Sequence, residues 1–405
     1  MYVEAQNNFI NGVCEISVEG HISSMELLAK LKHIEDAMGR IKTVDKGPRN
    51  IDLDILLHGD QSLSTVTLSV PHKAMLEREF VLRPLCDLIP DGIHPQYPTE
   101  TYSNHLHALP KDPSMSTIIP FGKHGIFKPL DSARQTKIMS ILNITPDSFS
   151  DGGHHSPNPD QTLSTIQKHV QSGADIIDIG GYSTRPNASN VSTEEELARV
   201  IPIIQASRRN FPDIGISIDT FRHEVAEAAI LNGADIVNDV SAGTLDIKML
   251  PTIAKLGCTY VAMHMRGDAA TMTRLNQYPE GVIRGIAEEL LMRVEAAEKA
   301  GIWKWRLVLD PGIGFAKDLA QNLEILRRLA ELRQWPGLEG FPWLIGTSKK
   351  AFIGRITGVQ HAHERIWGTA ATICTAIQGG ADIVRVHDVD EMRQVSKMAD
   401  AIWRL

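Results

Sequence analysis

From residue 137 onward the chain repeats one pattern: a short apolar run, a polar or glycine turn, then a longer stretch whose apolar positions recur with helical spacing. The runs fall at 138–142, 175–179, 215–218, 235–237, 260–263, 307–309, 343–345 and 382–384. Eight strands, each followed by room for a helix, predict a closed (β/α)₈ TIM barrel over residues 135–405, near the usual size of about 250 residues. The alternative, an open doubly wound sheet, would usually carry a glycine-rich fingerprint at its first strand-to-helix turn, and none is there.

Residues 1–100 read differently. A strand-like run at 11–18, a helical pattern from 24 to 38 with Leu27, Leu28, Leu31 and Ile34 on one face, and an alternating run at 51–57 predict a smaller α+β unit. Residues 101–134, with Pro110, Pro113, Pro120 and Pro129 and no sustained period, read as a linker.

Composition narrows the partners. With 41 basic against 49 acidic side chains and a net charge of −8, no nucleic acid is expected as a partner, although a local basic pocket for a small anion remains open. The four cysteines are far apart and match no zinc or disulfide framework. The chain has no membrane-spanning run and its start shows no signal or transit peptide, so a cytoplasmic or mitochondrial location is expected.

Barrel chemistry gathers at the carboxyl ends of the strands. Read there, the chain offers Asn143, the 180–186 loop, Asp219, Asn238, Met263 with His264, Asp310, Ser348 to Lys350, and Arg385 with His387. Singly, each has a bland reading: Asp219 or Asp310 caps a helix, His264 is a hydrogen-bonded core histidine, and Arg185, Lys350 and Arg385 are solvated cations. Together, carboxylates facing amides and amines suit an aromatic heterocycle rich in N–H donors and ring acceptors. Arg385 and His387, two apart on one strand end, share a side and suit a phosphate.

These motifs carry a resemblance. The 143–153 stretch Asn-Ile-Thr-Pro-Asp-Ser-Phe-Ser-Asp-Gly-Gly, the 178–186 stretch Asp-Ile-Gly-Gly-Tyr-Ser-Thr-Arg-Pro, Asp219-Thr, Asn238-Asp, Met263-His-Met-Arg, Asp310-Pro-Gly-Ile-Gly-Phe, Ser348-Lys-Lys and Arg385-Val-His resemble dihydropteroate synthase, in order, across 135–405. The resemblance implies condensation of 4-aminobenzoate with 6-hydroxymethyl-7,8-dihydropterin diphosphate, releasing pyrophosphate, in folate biosynthesis. It implies that Asp219, Asn238, Asp310 and Lys350 hold the pterin, that Met263 packs beside it, and that Arg385 stacks on it. Asn143, Arg385 and His387 would cradle the diphosphate with Mg²⁺ held at Asn143. Thr145, Phe149, Thr184 and Arg185, on two loops, would form the aminobenzoate pocket with Phe315 and Lys350. The chain departs from the family at Lys349, commonly arginine, and at Ala351, often a hydroxyl residue. A homodimer is implied as well.

The 47–54 stretch Gly-Pro-Arg-Asn-Ile-Asp-Leu-Asp and the 71–80 stretch Pro-His-Lys-Ala-Met-Leu-Glu-Arg-Glu-Phe resemble 6-hydroxymethyl-7,8-dihydropterin pyrophosphokinase, an ATP-dependent enzyme with a ferredoxin-like α+β fold. By that resemblance Asp52 and Asp54 hold Mg²⁺; Arg40, Arg49, His72 and Arg78 contact ATP; and Asn11, Phe9 and Phe80 meet the pterin. Roughly 40 residues that the family places before its Tyr-Val segment have no counterpart ahead of Tyr2, and an inner strand lost there leaves backbone groups unpaired. The expectation is an incomplete kinase unit that is inactive or poorly folded, with ATP used only if it functions. Two competing readings of the barrel are a non-catalytic pterin-binding scaffold and a pterin-dependent methyltransferase.

Overall fold

The computed structural model describes residues 9–18, 20–40, 50–110, 112, 115, 117–123, 125–144, 159–182 and 191–404. It forms two compact units, Met1–Met115 and Ser116–Leu405.

In the first unit, the helix Ser24–Ala37 starts at a capping box in which the Ser23 hydroxyl and the Glu26 carboxylate satisfy each other's backbone N–H groups. The helix packs Leu27 against Ile55, Leu68 and Val70. A second cluster joins Met75, Leu82 and Leu85 to Tyr102, bringing together the helices Glu79–Leu88 and Tyr102–Ala108. Strands β1 (Leu63–Ser64) and β2 (Ser69–Val70) pair antiparallel. The runs at 11–18 and 51–57, expected as strands, have no ladder partner among the described residues. The Leu53 N–H is taken instead by the Glu35 carboxylate at 2.8 Å. The alternation in that run still does its sorting, with Asp52 and Asp54 exposed and Ile55 buried.

The stretch read as a linker is not irregular. It carries the helix Tyr102–Ala108 in the first unit and, in the second, a hairpin of β3 (Ile119–Phe121) and β4 (Gly125–Phe127). The prolines misled because Pro120 lies within a short strand of a two-stranded ribbon, where it is tolerated. Gly122, at φ +61°, makes the turn.

The second unit is a barrel of parallel strands: β5 (Lys137–Asn143), β6 (Ile176–Gly180), β7 (Gly215–Asp219), β8 (Ile236–Asp239), β9 (Thr259–Met263), β10 (Leu307–Asp310), β11 (Leu344–Ile345) and β12 (Ile383–Val386). Each pairs with its sequence neighbour except at two places. There β12 returns to β5, and β10 meets β11 through a bridge between Leu309 and Trp343, which closes the ring. Helices cover the outside, so one face of every strand packs against helices and the other fills the lumen. That double burial is why the strands read as continuous apolar runs. Ile119, Phe121 and Phe127 of the hairpin plug the lumen against Met139, Ile176, Ile236, Val261, Val308, Leu344 and Ile383. The plug sits at the amino ends of the strands, where the Thr259 hydroxyl donates to the Pro120 carbonyl at 2.6 Å. Only the opposite mouth is left for chemistry.

Candidate active site

Strand pleating places the polar groups. Successive side chains on a strand alternate between lumen and helix layer. Met139, Ile176, Ile236, Val261, Val308 and Ile383 fill the lower lumen, so Asp178, Asn238, Met263, Asp310 and Arg385, two residues further on, face the lumen as well. Asn143, Gly180 and His387, four further on, reach the rim. Asp219 joins the same layer, in register with Gly180 on one side and Asn238 on the other.

At the centre is a cation between two acids. Arg385 Nε donates to Asp178 Oδ2 at 2.6 Å, and Nη2 donates to Asp219 Oδ2 at 2.6 Å. Asn238 Nδ2 donates to the same Asp178 oxygen at 3.1 Å. The other Asp178 oxygen, Oδ1, is buried with no hydrogen-bond partner among the described residues, an acceptor of the kind that a ligand N–H would satisfy. Asp178 was not among the expected site residues. It lies inside an apolar run, whereas the other polar strand-end groups follow theirs.

The charges are tuned by enclosure. Burial raises the Asp219 carboxyl above its ordinary value, against the pull of Arg385 and with Asp178 adding to the rise. Burial likewise raises Asp310, while Lys350 opposes it; Asp310 Oδ1 also accepts the Gly312 N–H at 2.7 Å. Burial pushes the Lys350 ammonium down to about 8, against the attraction of Asp310. Burial works against the charge on Arg385 too, but Asp178 and Asp219 more than offset it.

Lys350 donates to the Ile313 carbonyl, and its ammonium lies 4.9 Å from the centre of the Phe315 ring. Met263 is buried at the end of β9. Ser348 Oγ stands 2.9 Å from His387 Nδ1 and accepts the His387 backbone N–H at 3.2 Å, orienting that ring. Lys349, where the resemblance implies arginine, bonds Asp388 at 2.7 Å. The capping reading fails for both barrel aspartates: Arg222 occupies the cap before His223–Leu231 without a side-chain bond, and Asp318 caps Leu319–Arg327. His264, by contrast, is a buried, hydrogen-bonded histidine, as its bland reading held. Thr145, Phe149, Thr184 and Arg185 lie outside the described residues.

Asn143 suits Mg²⁺ bound to a diphosphate, because such an ion takes one or two protein oxygens and fills its remaining positions with phosphate and water. The amide oxygen faces Gly180, where an added Cβ would stand 3.6 Å from it and 3.5 Å from Asp219 Cβ.

In the first unit Arg40 bonds Asp52 at 2.7 Å and also Glu35. Exposed Asp52 and Asp54 offer hard oxygen atoms on one side, the donor type that Mg²⁺ prefers. Arg78 lies 5.8 Å from the Phe80 ring centre, and both line a cavity of about 270 Å³. His72 lines another, of about 320 Å³, with Lys73, His94, Tyr97 and His105. Phe9 and Asn11 are exposed, and Arg49 lies outside the described residues.

Comparison with known proteins agrees with this division. Residues 1–90 match the model of 7,8-dihydro-6-hydroxymethylpterin-pyrophosphokinase. The folic acid synthesis protein fol1 of Pneumocystis carinii is 46% identical over 407 residues, covering 100% of this chain and 54% of its own length, so the chain spans about half of that relative. The mitochondrial folate synthesis bifunctional protein of Arabidopsis thaliana is 40% identical over 429 residues, covering 100% of this chain and 76% of its own. Among solved structures, the Xanthomonas albilineans dihydropteroate synthase with 4-aminobenzoic acid superposes with a TM-score of 0.64 at 36% identity, covering 72% of this chain and 100% of that one. Residues 139–387, the barrel with every lumen-facing group described above, match the model of the pterin binding enzymes, and the chain belongs to that family.

Proposed function

We propose that the barrel, residues 135–405, is a dihydropteroate synthase that joins 4-aminobenzoate to 6-hydroxymethyl-7,8-dihydropterin diphosphate. The observation that carries the reading is the Asp178–Arg385–Asp219 triad at the open mouth, because it combines acceptors for a pterin's N–H groups with a fixed cation for a diphosphate. Asp219, Asn238 and Asp310, joined by Asp178, meet the N–H edge of the pterin, Lys350 donates to its ring acceptors, and Met263 packs against its face. Arg385 spends two of its N–H groups on carboxylates and turns the rest toward the diphosphate, with His387 and Asn143.

The amine nitrogen forms the new C–N bond as the C–O bond to the diphosphate breaks, and the nitrogen then sheds a proton. Negative charge grows on the leaving oxygen, where a preorganised guanidinium stabilises it without reorganisation. Mg²⁺ on the diphosphate, when bound at Asn143, supplies further charge neutralisation. No protein nucleophile is needed. Thr145, Phe149, Thr184, Arg185 and Phe315 complete the aminobenzoate side.

The sequence alone leads to an expectation of an inactive or poorly folded first unit; its two buried clusters around Leu27 and Leu82 favour a folded one, which is proposed as the pyrophosphokinase domain, with Asp52 and Asp54 as Mg²⁺ ligands for ATP. A homodimer is proposed through the barrel's outer helices, which expose Trp367 at 83% and Ile356 at 53%. Among the described residues no helix is long and apolar enough to cross a membrane. The name of the Arabidopsis relative supports keeping the mitochondrion beside the cytoplasm as its location.

The test is to mix the protein with dihydropterin diphosphate, 4-aminobenzoate and Mg²⁺ and to follow dihydropteroate and pyrophosphate. Equal amounts of both are expected, with loss on chelation. No product with all three present overturns the reading, and product from wild type but not from Arg385→Ala separates enzyme from scaffold.

A further inference from the structure

Beneath Phe315 and Lys350 runs a line of side chains outside the proposed pterin and diphosphate contacts. Lys317 Nζ donates to the Phe315 carbonyl at 2.8 Å and to His264 Nδ1 at 3.0 Å. His264 is 2% exposed, and its Nε2 lies 3.1 Å from Glu289 Oε2. The tautomer with its proton on Nε2 satisfies both ring nitrogens, because Glu289 accepts and Lys317 donates. Burial pushes this imidazole down to about 4, with Lys317 pushing the same way, so the ring is neutral.

Glu289 also takes Arg266 Nε at 3.0 Å. The Arg266 guanidinium lies 3.9 Å from the centre of the Tyr278 ring, whose hydroxyl donates to the Ala316 carbonyl at 3.2 Å. The carbonyls of two consecutive residues, Phe315 and Ala316, are therefore held by side chains from outside the loop or from its far end. Between them the backbone is strained: Ala316 has φ +50°, a conformation that a residue other than glycine adopts at a cost and keeps only where its surroundings impose it. Below, the His264 backbone N–H donates to the Asp310 carbonyl at 2.8 Å, tying the loop after β9 to the end of β10.

We propose that Lys317, backed by His264 and Glu289, is a positioning residue that fixes the Phe315 ring beside Lys350 and thereby shapes the 4-aminobenzoate side of the site. This rests on the synthase reading. Desolvation lowers the Lys317 amine to about 7. A neutral amine keeps two N–H groups for its two acceptors, so the brace holds in either state. Lys317 bonds Phe315 directly and acts on Asp310 and Lys350 only through its charge, so its removal should affect chiefly the substrate that Phe315 borders.

The experiment is steady-state formation of dihydropteroate by the full chain, with each substrate varied in turn, for wild type and Lys317→Met. The expected result is a KM for 4-aminobenzoate raised about tenfold or more, with kcat and the KM for dihydropterin diphosphate changed less than about twofold. An unchanged aminobenzoate KM, or a fall in kcat alone of the kind a loss of folded protein gives, overturns the proposal. If Lys317→Met does not fold by circular dichroism, Lys317→Gln, which keeps an N–H donor, carries the same comparison with a smaller expected rise. A wild-type chain that forms no dihydropteroate overturns the synthase reading itself, and that failure is distinguishable because it needs no variant.

Discussion

Asp178 and Arg385, brought together from 207 positions apart in the chain, share a 2.6 Å ion pair inside the barrel mouth, and the Asp178 side chain is wholly enclosed. Two adjacent strands, β6 and β7, supply the acids, and β12, on the other side of β5, supplies the cation that reaches them. The guanidinium is thus held by the barrel's own closure. An arginine on a flexible loop would have to be ordered by its substrate, at a cost in binding, whereas this one is ordered beforehand.

Asp178→Asn keeps the shape of this arrangement and removes its charge. Arg385 Nε then meets a weaker neutral acceptor, and a buried cation loses one of its two counter-charges. Breaking a buried pair costs roughly 3–5 kcal/mol when a partner is deleted; the amide, which still accepts, should cost at the low end or below. Dihydropteroate formation is expected to fall at least about a hundredfold, because the arginine's aim is part of the charge stabilisation. Product assay and denaturant unfolding measure the two effects separately. Full activity in the variant would remove Asp178 from the site.

Much of the barrel was legible because its strands are apolar on both faces: each predicted run lies within a residue or two of a strand, down to the two-residue β11. The same property hid Asp178, an acid embedded in an apolar run. Pleating could have found it, since it stands two residues before Gly180 and two after the lumen-filling Ile176. Lys317 was hidden for another reason: a lysine just before a helix cap reads as a solvated cation, and only the fold brings it to His264. In the first unit, whether an extended run finds a ladder partner is decided by distant parts of the chain and leaves no local mark. The 51–57 run therefore showed its alternation but not that its Leu53 N–H would turn to Glu35.

Lys350→Met is expected to abolish product formation yet raise thermal stability near pH 7. In the folded chain the amine titrates at about 8, against 10.5 for the unperturbed group. Between those values the unfolded chain binds a proton that the folded chain lacks, so this group's contribution to stability improves as pH rises. Below about 8 the full cost of an enclosed ammonium is present, roughly 1–3 kcal/mol after allowing for solvent at the rim. Unfolding scans of wild type and variant should show a gap that is widest at pH 7 and narrows above pH 8. A gap that widens with pH would contradict the assigned direction.

Phe121→Ala tests the plug. Phe121 and Phe127 stack with ring centres 4.3 Å apart and planes 26° apart, closing the lower lumen. Emptying that volume should cost about 3–5 kcal/mol, read as a lower midpoint in urea. Because the plug faces the mouth opposite the polar layer, kcat/KM below the melting range should stay within about twofold of wild type. A large loss of kcat/KM in protein that remains folded would mean that the two mouths are coupled.

Nucleotide binding by the first unit turns on Asp52. Arg40 bonds it at 2.7 Å, but the Asp52 side chain is 47% exposed, and a pair so open to water is worth less than about 1 kcal/mol. An incoming Mg²⁺ with ATP can displace so weak a partner, and Arg40 would then turn to the phosphates, for which its fork is suited. Calorimetric titration of the full chain with ATP should therefore show saturable binding in Mg²⁺ and none in a chelator. Asp52→Asn combined with Asp54→Asn should remove the metal-dependent heat while leaving dihydropteroate formation intact, because neither carboxylate belongs to the barrel. Heat that persists in the double variant would place the nucleotide away from these carboxylates.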